Sequence, residues 1–427
     1  MKIPPLNCTN ISFKAGKTVV YSDFDGTFMP YSHSDVCNNG ELSRNGDKIN
    51  NFNNIYRKFI DFSNKTGDKF KLILSTGRNL PELEFILSKI KKQKLTFPQI
   101  NSVIVKNGGD RYDYNYLHNY VLNNEKSEAI KKSVSGWDSD KIKYDLKNII
   151  KTIKSDDDKD LIILNVPINK HEMDYEKDSL ECIIKRLENV NKKYYASFSE
   201  DGTLAIDLVF PPNIKVDNIK KAINDYFADN KIQASVLINN FDGGYPVPAF
   251  HCDGHMTVGP SQTIQIKPLY NGKALNKLYD VKEEVKKNIA EKSDDLVIAA
   301  GDGINDEPML NIFNYLDLYG IEIPEGKNIK ELIEDKEILN AIKALPLAVI
   351  VVGLGADSKE LLETARLLES KGIKKFFVEE NAKNGLLNKI KESMLSYSNE
   401  NENYKYSLGA DVFKEIIKEE YEKALCF

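Results

Sequence analysis

Thr18-Val19-Val20-Tyr21-Ser22-Asp23-Phe24-Asp25-Gly26-Thr27 is the stretch on which the reading of this chain turns. The apolar run from Thr18 to Tyr21 has the brevity and β-branched content of a buried strand, and Asp25-Gly26 is the turn signal that ends it. It delivers two carboxylates, one residue apart, followed by a glycine and a hydroxyl. Successive side chains of a strand face opposite ways, so Asp23 and Asp25 share a face. At the carboxyl end of a parallel strand both would stand where open α/β sheets bind ligands. Two anions so close repel unless a cation or a shared proton relieves them. A surface Asp-Gly turn reads similarly in isolation, so the pair takes its meaning from the rest of the chain.

Working outward, residues 28–51 form a long polar stretch, and loops of that length are usually functional or disordered. Phe52, Ile55, Tyr56, Phe59 and Ile60 then fall on one face of a helix. Lys71-Leu72-Ile73-Leu74 predicts a second strand, ending in Ser75-Thr76-Gly77-Arg78. Asn79 caps a further helix, with Pro81 near its first turn and Leu83, Ile86, Leu87 and Ile90 on one face. A third strand, Val103-Ile104-Val105, ends in Lys106-Asn107-Gly108-Gly109. This alternation predicts an α/β, Rossmann-like parallel sheet with helices on both faces and right-handed crossovers.

The rhythm changes after residue 112. A helix around Leu146, Ile149, Ile150 and Ile153 leads to a strand over 161–168, and a second helix carries Leu180, Ile183, Ile184 and Leu187. Strands at 194–199 and 203–210 join through Asp201-Gly202, a hairpin signal. A helix with Val216, Ile219, Ile223, Tyr226 and Phe227 follows, then strands at 235–239 and 263–266. Hairpins mixed with helices predict an antiparallel sheet with helices on one face. Residues 113–266 are therefore expected to form an inserted α+β cap domain. The first rhythm then resumes: a helix from Ala274, a strand Leu296–Ala300 ending in Gly301-Asp302-Gly303-Ile304-Asn305-Asp306, and strands at 347–352 and 375–378. The expected organisation is a sheet core of 1–112 and 267–396, the cap, and 397–427 as a polar spacer with an amphipathic helix.

The bulk properties narrow the class. At 427 residues the chain exceeds the span of one hydrophobic core. Its 59 basic and 64 acidic residues are interspersed for a net charge of −5, with no basic face for nucleic acid. Five scattered cysteines argue against a disulfide framework, and no segment reads as a signal peptide or membrane span. A cytoplasmic protein without nucleic-acid or membrane partners is expected.

Three strand ends thus carry the Asp23/Asp25 pair, Thr76-Gly77, and Asp302 with Asp306. In a parallel sheet such ends converge on one edge. Together with Asn107-Gly108, the pattern resembles the haloacid dehalogenase superfamily of phosphotransferases, whose first motif is Asp-x-Asp-Gly-Thr. Its Thr-Gly-Arg and Gly-Asp-Gly-x-Asn-Asp elements resemble the large-cap branch with Cof-type sugar phosphatases, sucrose-phosphate phosphatase and trehalose-phosphate phosphatase.

The resemblance implies a Mg²⁺-dependent phosphatase acting on a small phosphorylated metabolite, a sugar phosphate above all, through an aspartyl-phosphate. Unaided phosphate monoester hydrolysis is slow enough to require accelerations approaching about 10²¹-fold. In the implied roles Asp23 is the nucleophile and Asp25 the general acid and base. Asp23 and Asp302 would ligate the metal by side chain and Asp25 by backbone carbonyl, with Asp306 holding that shell. Thr76, Gly77, Asn305 and the Gly26 N–H would bind the phosphoryl oxygens.

The family's Lys-Gly-x-Ala-Leu, which opens the helix after the cap, is blurred here. Aligned on Ala274-Leu275, Asn271 takes the place of the lysine; counted from the strand end, Lys273 does, and Lys267 is a third position. A short deletion with Lys273 in the role is the expectation. A phosphomannomutase-like phosphotransferase and a non-catalytic sugar-phosphate-binding protein are the rival readings. His251-Cys252-Asp253-Gly254-His255 lacks the second ligand pair of a zinc site and reads as a cap loop, and Asp156-Asp157-Asp158 as a solvated turn.

Overall fold

A computed structural model gives the fold. It describes residues 16–30, 46–78, 83–113 with short gaps, 137–153, 162–164, 195–198, 205–210, 216–241, 261–302 (except 271–272 and 275), 306–352 (except 325), 359–379 and 386–425. In chain order the elements are β1 (Thr18–Ser22), α1 (Gly46–Thr66), β2 (Phe70–Ser75), β3 (Ser102–Val105), β4 (Asp110–Asp113), α2 (Ser139–Thr152), β5 (Ile162–Leu164), β6 (Tyr195–Phe198), β7 (Ile206–Phe210), α3 (Val216–Asp229), β8 (Ala234–Phe241), β9 (Ser261–Tyr270) and β10 (Lys273–Ala274). There follow α4 (Lys277–Glu291), β11 (Leu296–Gly301), α5 (Glu307–Leu310), α6 (Ile329–Glu334), α7 (Lys336–Ala344), β12 (Leu347–Val352), α8 (Lys359–Ser370), β13 (Phe376–Glu379), α9 (Leu386–Glu400), α10 (Glu402–Leu408) and α11 (Ala410–Leu425).

Seven strands make a mostly parallel sheet in the order β13-β12-β11-β1-β2-β3-β4, with helices on both sides. The fold is the expected α/β, Rossmann-like one. Every residue of β1, β11 and β12 is buried, as a parallel strand covered on both faces requires. At the edge β4 runs antiparallel to β3, paired from Val105↔Asp110 to Ser102↔Asp113. The sequence reading lacks this strand because Asp110-Arg111-Tyr112-Asp113 has no apolar run, which an edge strand does not need.

The chain divides into two compact units, one of residues 1–30, 55–73 and 280–427, the other of 31–54 and 74–279. In the first, Phe28, Phe59, Phe62 and Phe70 form a ladder of edge-to-face and tilted rings, with centroids 5.2–6.3 Å apart. Such pairs each add about 0.5–1.5 kcal/mol beyond the area they bury. Residues 399–403, expected as a spacer, instead end α9 and begin α10. The Asn401 side chain accepts from the Tyr404 N–H at 3.0 Å, capping α10. Tyr404 is fully buried, its hydroxyl 2.6 Å from Thr18 Oγ1, and burial pushes its phenol far above the ordinary tyrosine range.

In the second unit a six-stranded sheet runs β10-β9-β7-β6-β5, with β8 also paired to β9. It is mixed, because β5 pairs parallel with β6, whereas β6–β7, β7–β9 and β8–β9 are antiparallel. Ile142, Leu146 and Ile150 of α2 and Ile219, Ile223 and Phe227 of α3 pack with Ile206, Leu208, Ile264 and Ile266. On the alternate positions of β9, Gln265 and Lys267 are buried too, so that strand is covered on both faces and is polar on one. The helix read at 180–187, the Asp201-Gly202 turn, Asp156–Asp158 and the segment 251–255 lie outside the described residues. Among the described residues, no helix is long and apolar enough to cross a membrane.

Candidate functional site

The register of the parallel sheet builds the acidic centre. Thr18 pairs with Leu296 and Ser22 with Ala300, so the two strands end level. The Asp23 N–H extends the ladder by donating to the Ala300 carbonyl at 2.8 Å, and Asp302 follows the last residue of β11. The chain after Asp23 then folds into a tight turn. The Phe28 N–H donates to the Asp23 carbonyl (3.2 Å), Met29 to Phe24 (2.6 Å) and Gly26 to Met29 (3.0 Å). Gly26, expected to offer its N–H to a phosphoryl oxygen, thus spends it on closing the turn. The residue is a glycine for two reasons. Its φ of +74° is left-handed, and a Cβ there would run into the Asp302 carboxylate.

Asp23, Asp302 and Asp306 each bring a carboxylate oxygen within 4.8 Å of the other two. Asp23 and Asp306 are buried and Asp302 is partly so. Burial weakens the screening of three like charges, and the three acids could together hold a cation. All three donors are hard oxygens. Three carboxylates within 4.8 Å of one another are a donor set of the kind that hard, oxygen-seeking cations take. Asp306 also accepts the Asp302 N–H at Oδ2 (3.1 Å), while Thr27 Oγ1 reaches Asp302 Oδ1 at 3.4 Å. Asp25 lies partly buried in the same turn, bridged to Met29. Asn305 lies outside the described residues.

A second group of predicted residues comes together in the other unit. Thr76, buried to 1% exposure, follows β2; its N–H donates to Ile104 (2.8 Å), and its carbonyl accepts from Asn107 (3.0 Å). Its hydroxyl accepts from the Arg78 N–H at 3.1 Å, and Lys106 N–H donates to the Arg78 carbonyl at 2.9 Å. The turns after β2 and β3 are thereby zipped together. Gly77 is exposed beside Asn107, whose Oδ1 is buried without a hydrogen-bond donor. Lys267, buried on β9, donates from Nζ to the Asn107 carbonyl at 3.0 Å.

The helix after β10 does not open where the sequence reading put it. Lys273 and Ala274 form β10, pairing back onto Tyr270 and Leu269, and α4 begins at Lys277. Lys277 is buried to 2% exposure, and the backbone of Asn276 before it lies so close to Gly108 that a Cβ there would strike it. Lys277 is a buried residue that the sequence does not single out. Its signal is Asn276-Lys277-Leu278, a capping residue followed by a lysine, hidden behind the more familiar Ala274-Leu275. Lys106, fully buried, is a second omission.

No family model matches the chain, and no curated protein matches it in sequence. Among solved structures it is similar to Aspergillus fumigatus trehalose-6-phosphate phosphatase in two crystal forms. Crystal form 2 matches at 10% identity and a TM-score of 0.34, over 83% of this chain and 94% of that one. Crystal form 3 gives 10% and 0.35, over 84% and 94%. A likeness of that size carries no argument about activity.

Proposed function

We propose that this chain is a phosphatase of a small phosphorylated metabolite, a sugar phosphate or its near chemical relative, working through an aspartyl-phosphate. The observation that carries the reading is the convergence of Asp23, Asp302 and Asp306 from the ends of two neighbouring strands.

In the proposed reaction an Asp23 carboxylate oxygen attacks phosphorus and the ester P–O bond breaks. Asp25 gives a proton to the departing alkoxide. It then takes one from a water molecule, which attacks the same phosphorus, releases inorganic phosphate and restores Asp23. Asp23, Asp302 and Asp306, with the Asp25 carbonyl, are the residues that would hold Mg²⁺. When bound, the ion offsets the repulsion between an anionic nucleophile and an anionic phosphoryl group. The family pattern gives the phosphoryl oxygens to a threonine and a lysine, and Thr76 and Lys277 are proposed for those roles on their positions in the sequence pattern alone. Lys277 is proposed for the lysine role because it is buried and opens the helix after the second sheet, the place the family pattern reserves for that lysine.

The test is phosphate release across a panel of phosphorylated metabolites with Mg²⁺, with and without chelator, for the native chain and Asp23→Asn. Release that needs the metal and disappears in the folded variant is expected. Undiminished release from Asp23→Asn would reject the nucleophile, and saturable binding without release would leave a binding protein.

A further inference from the structure

Immediately before β13, Lys375 is buried to 3% exposure, although lysine is almost never so. β12 and β13 run parallel and begin at Leu347 and Phe376, so Lys375 stands at the amino edge of the sheet. Asp23 and Asp302 stand at the carboxyl edge of the same unit. The proposed phosphatase chemistry has no use for Lys375.

Three groups surround the Lys375 nitrogen. Nζ donates to the Leu345 carbonyl at 3.0 Å, Glu400 Oε2 lies 3.7 Å away, and the centroid of the Tyr397 ring lies 5.4 Å away. The bond to Leu345, which ends α7, would by itself be an ordinary cap of a helix C-terminus. Two further features are not needed for a cap. Burial holds the Lys375 ammonium below the ordinary lysine range, against the pull of a half-exposed Glu400. Lys375 also lines a cavity of about 310 Å³, a volume that small-molecule sites share. A lysine kept from water beside an open space is one whose neutral amine is nucleophilic towards carbonyl compounds.

The rest of the wall selects the ligand. Besides Ala344 and the Tyr397 ring, Lys343, Glu400, Asn401, Glu402 and Asn403 line the cavity, so it offers hydrogen-bonding groups to hydroxyls more than a surface for an apolar chain. The Tyr397 ring and the Glu400 carboxylate also favour positive charge on the nitrogen, which a protonated imine keeps.

We infer that Lys375 is a reversible imine-forming site for a small hydroxylated aldehyde or ketone seated in this cavity. The Nζ lone pair attacks the carbonyl carbon, and a C=N bond replaces C=O. Both hydrogens of the neutral amine leave with the carbonyl oxygen as water. Glu400 is the group placed to pass a proton from nitrogen to the departing oxygen. The site does not depend on the phosphatase reading.

The test treats the full chain at pH 7 with glyceraldehyde and cyanoborohydride, which reduces the imine and fixes it. Peptide mass spectrometry then follows the conversion of each lysine with time. Lys375 should be converted at least about fivefold faster than Lys343, which lines the same cavity but is exposed. Propanal, the same chain length without hydroxyls, should lower that ratio at least about threefold. Ala344→Trp, which places a bulky ring in the cavity wall, should lower it as well. Conversion of Lys375 no faster than Lys343 overturns the inference, as does an undiminished ratio in folded Ala344→Trp. Equal ratios for the two aldehydes overturn the hydroxylated class. If Ala344→Trp does not fold, the two aldehydes on the native chain decide.

Discussion

Asp306 Oδ2 accepts the backbone N–H of Asp302 at 3.1 Å, so one carboxylate of the acidic centre fixes the main chain that carries another. Asp306 thus sets the aim of Asp302 and, in the proposed reading, would also face a bound ion. Asp306→Asn retains an acceptor for that N–H and should weaken Mg²⁺ about 10–100-fold, the usual cost of disturbing ligand support. Asp306→Ala removes the acceptor as well and should weaken it further. The rise in melting temperature on adding Mg²⁺ measures both, since a ligand at 100 times its Kd stabilises by about 2.7 kcal/mol. Equal rises in all three proteins would show that Asp306 takes no part.

The three lysine positions separate by mutation. Lys277→Ala should lower kcat by roughly 10²–10³-fold, the cost of losing one preorganised donor to a developing charge. Lys273→Ala, in a two-residue strand ahead of the helix, should cost less than about threefold. Lys267→Ala should act mainly on KM and on stability, through the lost bond to Asn107. A loss in Lys273→Ala matching that of Lys277→Ala would return the role to the position expected from sequence.

Gly26→Ala combines a left-handed backbone with a Cβ aimed at the Asp302 carboxylate. The conformation alone costs about 1–2 kcal/mol. Displacing Asp302 should in addition remove most of the Mg²⁺-dependent thermal shift. Chemical denaturation with and without Mg²⁺ reads both effects. A variant as stable and as metal-responsive as the native chain would contradict this turn geometry.

Glu392 of α9 joins Lys374 (3.0 Å) and Lys389 (2.9 Å). Burial alone pushes its carboxyl up, but the two ammonium groups outweigh it and hold it below the ordinary value of 4.5. A carboxyl whose pKa is depressed by folding contributes stability above its unfolded pKa and loses it as pH falls through the folded one. The melting temperature should therefore decline below about pH 4.5 more steeply in the native chain than in Glu392→Gln. At pH 7 the substitution should cost about 1 kcal/mol or less, as partly exposed ion pairs do. Parallel melting curves across that range would remove Glu392 from the acid response.

What the sequence reveals follows from how each element is stabilised. β1, β2, β3, β11 and β12 are apolar runs whose burial is their main support, and each is legible as such. Asp23 and Asp302 are legible as neighbours because parallel strands end level on one edge. β4 and β10 exist through pairing, and neither Asp110–Asp113 nor Lys273–Ala274 carries an apolar pattern. The spacer reading of 399–403 fails because Asn and Glu look solvated, whereas Asn401 is a helix cap held 3.4 Å from Asp294. Lys106 and Lys277 stay hidden because lysine reads as surface, and only the fold shows them buried.

The pairing of Thr18 with Leu296 has a consequence for the birth of the protein. The two residues are 278 apart, so at about 5–20 residues per second β1 waits roughly 15–60 s for β11 to leave the ribosome. For that interval the edge that will hold Asp23 is an open row of amides and carbonyls, the kind that recruits stray strands. That exposed edge is where mispairing during translation would begin and where chaperone cover would act.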